Sequence, residues 1–420
     1  MRQLTAHAML VKIAVTSLVA SAAVGAESPT YLYGTSTPAP SAGPVAVATT
    51  TPTTSTPRAA YVVAAEPNPS GALEVVAWQD TTSSLVKIGS ASVAGGLTVK
   101  SVAATGLDSD RVVTADVDET GNLSINTWMI GGTGGVVQQN GYSTGPKSAT
   151  TQSAHAVSIA TVSSTQVVTA IEGPRGNLVV QEWTISSDGL PTPVGAAGRN
   201  GPATEVAIAT IDSGQVITVV GTLNNTLVIS TWAVDSAGVS YQNDYVMDKA
   251  VSRLGDDDVA IGAGSKLVFE EVGGVPSLVT VRSAFTPIIN REANVEVLYW
   301  DISAAGTISL LSTSETTQED FFQVAACMLP TDVPITAFGD VSSDVHVGWY
   351  GNGTDSVYKA IKGPLNGITS IGAAAAGSDF APYLLEYNAY FVTGVLTYTG
   401  SSTTGDLQLR VWSYPVSALE

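Results

Sequence analysis

Val216-Ile217-Thr218-Val219, a turn at Asn224-Asn225, and Leu227-Val228-Ile229-Ser230-Thr231-Trp232 form the stretch of sequence that decides the fold. Both runs are rich in β-branched residues, which favour strands, and asparagine supplies the backbone conformations that a tight hairpin turn needs. The stretch therefore predicts a strand, a turn and a second strand. Because the same pattern returns along most of the chain, it describes a repeating structural unit.

The recurrence gives the fold class. The first strand returns at Val112–Ala115, Val167–Ala170, Leu278–Val281, Pro334–Ala337 and Phe391–Gly394, and a further copy, Val62–Ala65, lacks the threonine. One tryptophan follows each copy, at Trp78, Trp128, Trp183, Trp232, Trp300, Trp349 and Trp412, and these are 50, 55, 49, 68, 49 and 63 residues apart. All-β repeats of roughly 40–50 residues are typical of propeller blades. The sequence therefore predicts an all-β fold, a seven-bladed β-propeller of four-stranded antiparallel blades.

The last unit predicts how the ring closes. Its first three strands are expected at Pro382–Tyr387, Tyr390–Thr397 and Asp406–Tyr414, which leaves no room for a fourth. An unpaired edge strand exposes a row of backbone hydrogen-bonding groups, which folds normally cover. We therefore expect the β-prone segment Thr30–Thr35 to complete the last blade by pairing with Asp406–Tyr414. The alternative is that this segment is a disordered tail.

The first residues predict export. Arg2 and Lys12, the apolar run Ile13–Val19 and the small residues Val24-Gly25-Ala26 are typical of a cleavable secretory signal. We expect a signal peptide at 1–26, a single propeller domain at 27–420 and a secreted or cell-surface location. The apolar run is too short to cross a bilayer, and no later segment predicts a transmembrane helix.

The charge excludes one class of partner. Without residues 1–26 the chain carries 15 basic and 36 acidic residues, a formal charge of −21. Nucleic acid, whose phosphates require a basic face, is therefore excluded, whereas cations and basic partners are compatible. Beyond the signal the sequence has two histidines and one cysteine, His155, His346 and Cys327. Because a structural zinc ion usually needs four such ligands, a zinc site of the usual His/Cys kind is also excluded. No cofactor is predicted, and calcium is the one ion that the sequence leaves open.

Three motifs have both a chemical and a structural interpretation. The tryptophans are expected to pack between blades, the alternative being that they form platforms for sugars. Gly141–Gly145 matches the G-x-S-x-G nucleophile motif, but that motif requires a strand, turn and helix that Pro146 and the following polar loop do not offer. Asp116–Gly121 partly resembles a calcium loop, but Thr120 and Thr127 replace two of its acidic ligands, and turn formation explains it better.

A cluster of charged residues departs from the repeat and gives the predicted site. In a propeller the connections within and between blades that share one face commonly bind ligands, and departures from a repeat are where function is grafted onto a fold. The candidate binding residues, all in the fourth to sixth units, are Arg253, Asp256, Asp257, Asp258, Arg291, Glu292, Asp320 and Asp340. The alternative is a solvated acidic rim without a ligand.

The whole pattern resembles secreted bacterial repeat propellers of unassigned activity. It has neither the Trp-Asp and Gly-His pairs of WD40 repeats nor the Asp-box of sialidases, and the resemblance transfers no catalytic residues. Because no acid, base and nucleophile set is evident, we expect a secreted non-enzymatic module that recognises a glycan or a protein surface. The alternatives are an extracellular hydrolase or lyase with a carboxylate or cation site at the pore mouth, and a structural cell-surface component. The sequence does not decide whether the protein is an enzyme.

Overall fold

The structure is a computed structural model, and its described residues consist of strands and their connections, with no helix among them. The described ranges are 30–39, 44–51, 60–95, 97–131, 135–143, 157–203, 205–212, 214–221, 226–247, 259–263, 278–285, 293–303, 305–315, 321–328, 334–340, 345–350, 356–361, 368–378, 386–398 and 405–417.

The strands follow one another in chain order with short connections in most units. The first half contains β1 (Thr30–Ala39), β2 (Ala46–Thr49), β3 (Tyr61–Pro67), β4 (Leu73–Asp80), β5 (Leu85–Ser92), β6 (Val99–Gly106), β7 (Arg111–Asp118), β8 (Leu123–Ile130), β9 (Val136–Ser143), β10 (Val157–Ser163), β11 (Gln166–Glu172), β12 (Asn177–Ile185), β13 (Pro191–Pro202) and β14 (Glu205–Asp212). The second half contains β15 (Gln215–Gly221), β16 (Leu227–Asp235), β17 (Gly238–Met247), β18 (Val259–Ala263), β19 (Leu278–Phe285), β20 (Ala293–Ile302), β21 (Ile308–Glu315), β22 (Phe321–Met328), β23 (Pro334–Asp340), β24 (Val345–Tyr350), β25 (Ser356–Ile361), β26 (Ile368–Ser378), β27 (Glu386–Tyr398) and β28 (Gly405–Ser417).

Within the described ranges these strands form seven four-stranded antiparallel sheets arranged as blades. The first sheet is β2-β3-β4-β5 and the second is β6-β7-β8-β9; the next four continue in the same way, and the seventh is β26-β27-β28-β1. The leading strands β2, β6, β10, β14, β18, β22 and β26 each lie beside the next, and β26 also lies beside β2. The all-β propeller class predicted from the repeat is confirmed.

The core lies between neighbouring sheets. Since successive side chains of a strand point to opposite faces, a sheet that is covered on both sides needs apolar residues at nearly every position. Val63 and Val75 on one face of the first sheet pack against Val112 and Trp128 of the second. The same arrangement, with a tryptophan facing the preceding sheet, recurs between the second and third, third and fourth, and fourth and fifth sheets and between the seventh and first.

The recurring threonine holds the tryptophan. In four sheets the threonine accepts a hydrogen bond from the indole N–H at 2.9–3.0 Å, in the pairs Trp128 Nε1 to Thr114 Oγ1, Trp183 to Thr169, Trp232 to Thr218 and Trp412 to Thr393. In the first sheet Ala64 takes the threonine's place, and the buried Trp78 Nε1 has no hydrogen-bond partner among the described residues. The six tryptophans whose side chains are described are at most 1% exposed, so packing between blades is confirmed for them. None of these six is a surface platform for a sugar.

The seventh sheet contains one expected pairing and one correction. As expected, β1 pairs antiparallel with β28, with Tyr31 opposite Trp412 and Thr35 opposite Leu409. The prediction that Pro382–Tyr387 forms the leading strand of this sheet was wrong, because β26 is the strand that pairs there with β27. This segment is rich in alanine and glycine, which are weak strand formers, so its pattern did not indicate a strand.

Candidate functional site

A cleft of about 270 Å³ opens between the first and second sheets, at the end where β7 turns into β8 and where β5 is connected to β6. This is the end of the blades to which the sequence assigned ligand binding, although at a different place around the ring. Its lining residues are Leu73, Val93, Leu97, Val99, Asp116, Asp118, Ser124, Asn126, Gln138, Gly141, Tyr142 and Ser143.

One part of the lining is apolar. Leu73 begins β4, Val93 and Leu97 belong to the connection from the first sheet to the second, and Val99 begins β6. Leu73 and Val99 are buried, whereas Leu97 is 46% exposed. An exposed leucine beside an open cleft provides apolar surface that a ligand can cover.

Backbone hydrogen bonds fix this apolar part in place. Val93 N donates to Leu73 O and Val99 N donates to Gly71 O, both at 2.9 Å. Glu119 N, in the turn after β7, donates to Thr98 O at 2.8 Å, which ties the turn to the connection. Gly71 has a φ of +87°, a conformation that glycine adopts without strain. The cleft is therefore bounded by anchored backbone.

The remaining lining is polar and comes from the second sheet. Asn126 Nδ2 donates to Asp116 Oδ1 at 3.1 Å, and Gln138 Nε2 donates to Asn126 Oδ1 at 2.9 Å. The chain of hydrogen bonds thus crosses β7, β8 and β9. Gly141 makes room for it, because a Cβ there would lie 2.5 Å from Asn126 Oδ1.

Asp118 is committed to the turn that follows β7. Its Oδ1 accepts from Thr120 N at 2.8 Å, from Thr120 Oγ1 at 2.6 Å and from Asn122 N at 3.0 Å, and its Oδ2 accepts from Asn122 Nδ2 at 3.0 Å. Burial acts to raise the pKa of Asp118, but the hydrogen bonds from Thr120 and Asn122 outweigh it and lower the pKa below its usual value. Turn formation thus accounts for the motif that resembles a calcium loop. In the part of the chain that the structure describes, no three His, Cys, Asp or Glu side chains are grouped as metal ligands would be.

Asp116 differs from Asp118 in its protonation. It is 6% exposed, and burial together with the negative charge of Asp118 raises its pKa to about 7, against the hydrogen bond from Asn126, which lowers it. Within the described residues Asp116 Oδ2 takes part in no hydrogen bond, and Asp116 is one of the residues that line the cleft. The part of the lining that the structure describes contains two carboxyl groups and no basic side chain.

The aromatic residue of the lining is not a free platform. The ring of Tyr142 meets Trp183 of the third sheet edge to face, with centroids 5.3 Å apart at 61°. Tyr245 makes the equivalent contact with Trp300, at 5.2 Å and 67°. These tyrosines therefore join neighbouring sheets.

The residues predicted as a binding site are not tested by the structure. Arg253, Asp256, Asp257, Asp258, Arg291, Glu292 and Asp320 lie outside the described residues. Asp340 ends β23 opposite Phe321, and its side chain is not described. Their grouping into one site stays a prediction.

The G-x-S-x-G match lies partly in the cleft. Gly141 and Ser143 belong to β9 and line the cleft, so this half of the motif forms an extended strand and not the sharp turn of a nucleophile; residues 144–145 lie outside the described ranges. Sequence reasoning singled out Asp116 and Asp118 only as a calcium loop and missed Asn126 and Gln138. A usable signal existed: Asp116 and Asp118 are two apart on a strand, which places both side chains on one face.

The fold and the cleft define a β-propeller with a small acidic site between two blades. Among solved structures the chain is similar to the BP39L lectin from Burkholderia pseudomallei, with 14% identity and a TM-score of 0.53 over 90% of this chain and 99% of that one. It is also similar to a protein from Lactobacillus plantarum, with 11% identity and a TM-score of 0.51 over 76% of this chain and 84% of that one. At such identities the likeness concerns the fold. No protein-family profile matches the sequence, and no curated protein is significantly similar to it.

Among the described residues no helix has the length and apolar character needed to cross a bilayer.

Proposed function

We propose that this protein is a secreted, non-enzymatic glycan-binding module, and that one sugar residue binds in the cleft between the first and second sheets. The observation that carries the proposal is the division of the cleft lining. Leu73, Val93 and Leu97 offer apolar surface, whereas Asp116 and Asn126 offer hydrogen-bonding groups. A sugar ring has the same division, with C–H groups on its faces and hydroxyl groups at its edge.

The polar groups suit hydroxyl ligands. Hydroxyl groups donate hydrogen bonds to carboxylates, and such charge-assisted bonds are roughly twice as strong as neutral ones. The unpaired Oδ2 of Asp116 supplies that acceptor beside the fixed amide of Asn126. A small concave site with few fixed polar groups is typical of small-molecule recognition and favours a sugar over a flat protein surface. The likeness in fold to a bacterial lectin is consistent with this proposal.

A hydrolase is the second candidate, because two carboxyl groups with pKa values moved apart resemble an acid and base pair. Asp118, however, accepts four hydrogen bonds from its own turn. A nucleophile or base would have to give up those bonds, so binding without turnover is the better-supported function. Secretion rests on the signal expected at 1–26.

A glycan array probed with the mature protein tests the proposal. Asn126→Ala removes the link between Asp116 and Gln138 and should abolish the wild-type binding, since Asp116 loses its orienting partner. The matched control is Ser230→Ala, the corresponding position of the fourth sheet, which should bind as the wild type does. Absence of any bound glycan, or release of reducing ends from a bound one, would contradict the proposal.

Secretion is tested separately. Protein that lacks residues 1–26 should be found in the culture medium of cells that express the full sequence.

A further inference from the structure

The charge of the cleft points to a particular class of sugar. Among the described residues its lining includes Asp116 and Asp118 and no lysine, arginine or histidine. The hydrogen bonds from its turn stabilise the ionised form of Asp118, which places a negative charge in the lining. A uronic or sialic acid would bring a second negative charge into a partly buried site, where like charges repel more strongly than in water.

Asp116 is the group that a cation would engage. It is 94% buried, so it cannot turn into solvent, and its Oδ1 is fixed by Asn126. Its Oδ2 has no hydrogen-bond partner among the described residues, and Asp116 is one of the residues that line the cleft. A buried carboxyl group with an unused oxygen gains most from a ligand that donates both a hydrogen bond and a positive charge.

On the basis of the proposed function, we propose that the cleft selects a sugar that carries a free ammonium group, as de-N-acetylated hexosamines do, and that Asp116 determines this selectivity. The ammonium group donates to Asp116 Oδ2 and lies near Asp118, while the C–H face of the ring covers Leu97. An N-acetylated sugar has neither the charge nor the compact donor, and an acidic sugar is repelled.

The repeat supplies a matched control for Asp116. Glu66 in the first sheet stands four residues after the partner of Trp78, as Asp116 stands four residues after the partner of Trp128. Glu66 is 3% exposed, its Oε2 is buried without a hydrogen bond, and it does not line the cleft. Glu66→Gln and Asp116→Asn therefore remove the same charge from corresponding positions, and only one of them belongs to the cleft.

Calorimetry on the mature protein with single sugars tests the inference. The probes are glucosamine and galactosamine, their N-acetyl forms, and glucuronate and galacturonate. The wild type and Glu66→Gln should bind an amino sugar at least tenfold more tightly than its N-acetyl form and should not bind the uronates. In Asp116→Asn the preference should fall below about threefold.

A second measurement separates direct contact from general attraction of a cation to an acidic protein. At about pH 6 an ammonium group beside Asp116 favours the ionised carboxyl, so binding should release a proton to the buffer in the wild type and in Glu66→Gln, but not in Asp116→Asn. If Glu66→Gln and Asp116→Asn lost binding equally, the overall charge of the protein and not contact with Asp116 would explain the binding, and the inference would be overturned. Binding of neutral sugars without preference for amines would overturn it while leaving the proposed function standing, and binding of no sugar at all would contradict both.

Discussion

At the scale of single residues, the tryptophan and threonine pairs show what one side chain contributes to a blade. Each paired indole N–H is buried and has one acceptor, whereas in the first sheet, where Ala64 replaces the threonine, no described residue accepts from Trp78 Nε1. A buried donor without a partner costs on the order of 1–3 kcal/mol. The first sheet therefore lacks a hydrogen bond that a threonine at the corresponding position supplies in other sheets.

We expect Ala64→Thr to raise the free energy of unfolding by about 1 kcal/mol, because the new hydroxyl accepts the hydrogen bond of Trp78. Denaturant unfolding of the mature protein measures this. The reverse change in the fourth sheet, Thr218→Ala, should lower stability by ~1–3 kcal/mol because it orphans Trp232 Nε1. Destabilisation by Ala64→Thr would show that the first sheet packs its tryptophan differently.

A pH effect also belongs to this scale. Burial, with help from Glu74, raises the pKa of Glu66 to about 7, and burial with Asp118 raises that of Asp116 to about 7. Each carboxyl group binds its proton more tightly in the folded state than in the unfolded state. Its contribution to the stability of the fold is therefore complete below the pKa that it has in the unfolded state, and is lost as pH rises through about 7. We expect the melting temperature to fall between about pH 5 and pH 8, with each group contributing at most ~3 kcal/mol. Glu66→Gln and Asp116→Asn should each flatten this fall, and an unchanged slope in both variants would contradict the assignment.

At the scale of elements, β9 shows how a strand shapes the site. Its Gly141 faces the amides of Asn126 and Gln138 too closely for any side chain. We expect Gly141→Ala to weaken glycan binding at least tenfold, because its Cβ displaces Asn126 from Asp116, while the protein still folds. Gly89→Ala in the outer strand of the first sheet is the control, since the nearest atom to its Cβ would be 3.4 Å away, an ordinary van der Waals distance. Titration with the best array ligand measures both, and wild-type affinity of Gly141→Ala would contradict the role of the network.

The elements also show how far the sequence was informative. Strands such as β15 and β16 were predictable because both faces of their sheet are buried, which gives runs rich in β-branched residues, and β16 also contains the recurring tryptophan. Strand β26 was not, because its alanine and glycine residues carry little strand preference. The cleft could not be predicted from the sequence for a different reason. Asp116, Asn126 and Gln138 lie on three different strands, and only the register in which these strands pair brings them together.

At the scale of the whole molecule, the seventh sheet joins the two ends of the described chain. Strand β1 pairs along β28, and the ring of Tyr31 meets Trp412 edge to face at 5.6 Å. Deleting Glu27–Ser36 removes most of β1 and exposes the edge of β28. We expect this truncation to lower the melting temperature of the whole body in one cooperative transition. Deletion of residues 27–29 alone is the control and should melt as the mature protein does, and equal melting of both truncations would make β1 dispensable.

The same pairing has a consequence for synthesis. A strand near residue 30 whose partner lies near residue 410 cannot form its backbone hydrogen bonds until the chain between them has left the ribosome. Contacts between residues so far apart in the sequence form slowly, because the long loop between them must close before the contacts can stabilise the fold. Until then the seventh sheet is incomplete, and the nascent chain keeps an open end. The export proposed above requires a chain that is still unfolded, and this pairing delays completion of the fold until the residues near 410 have been made.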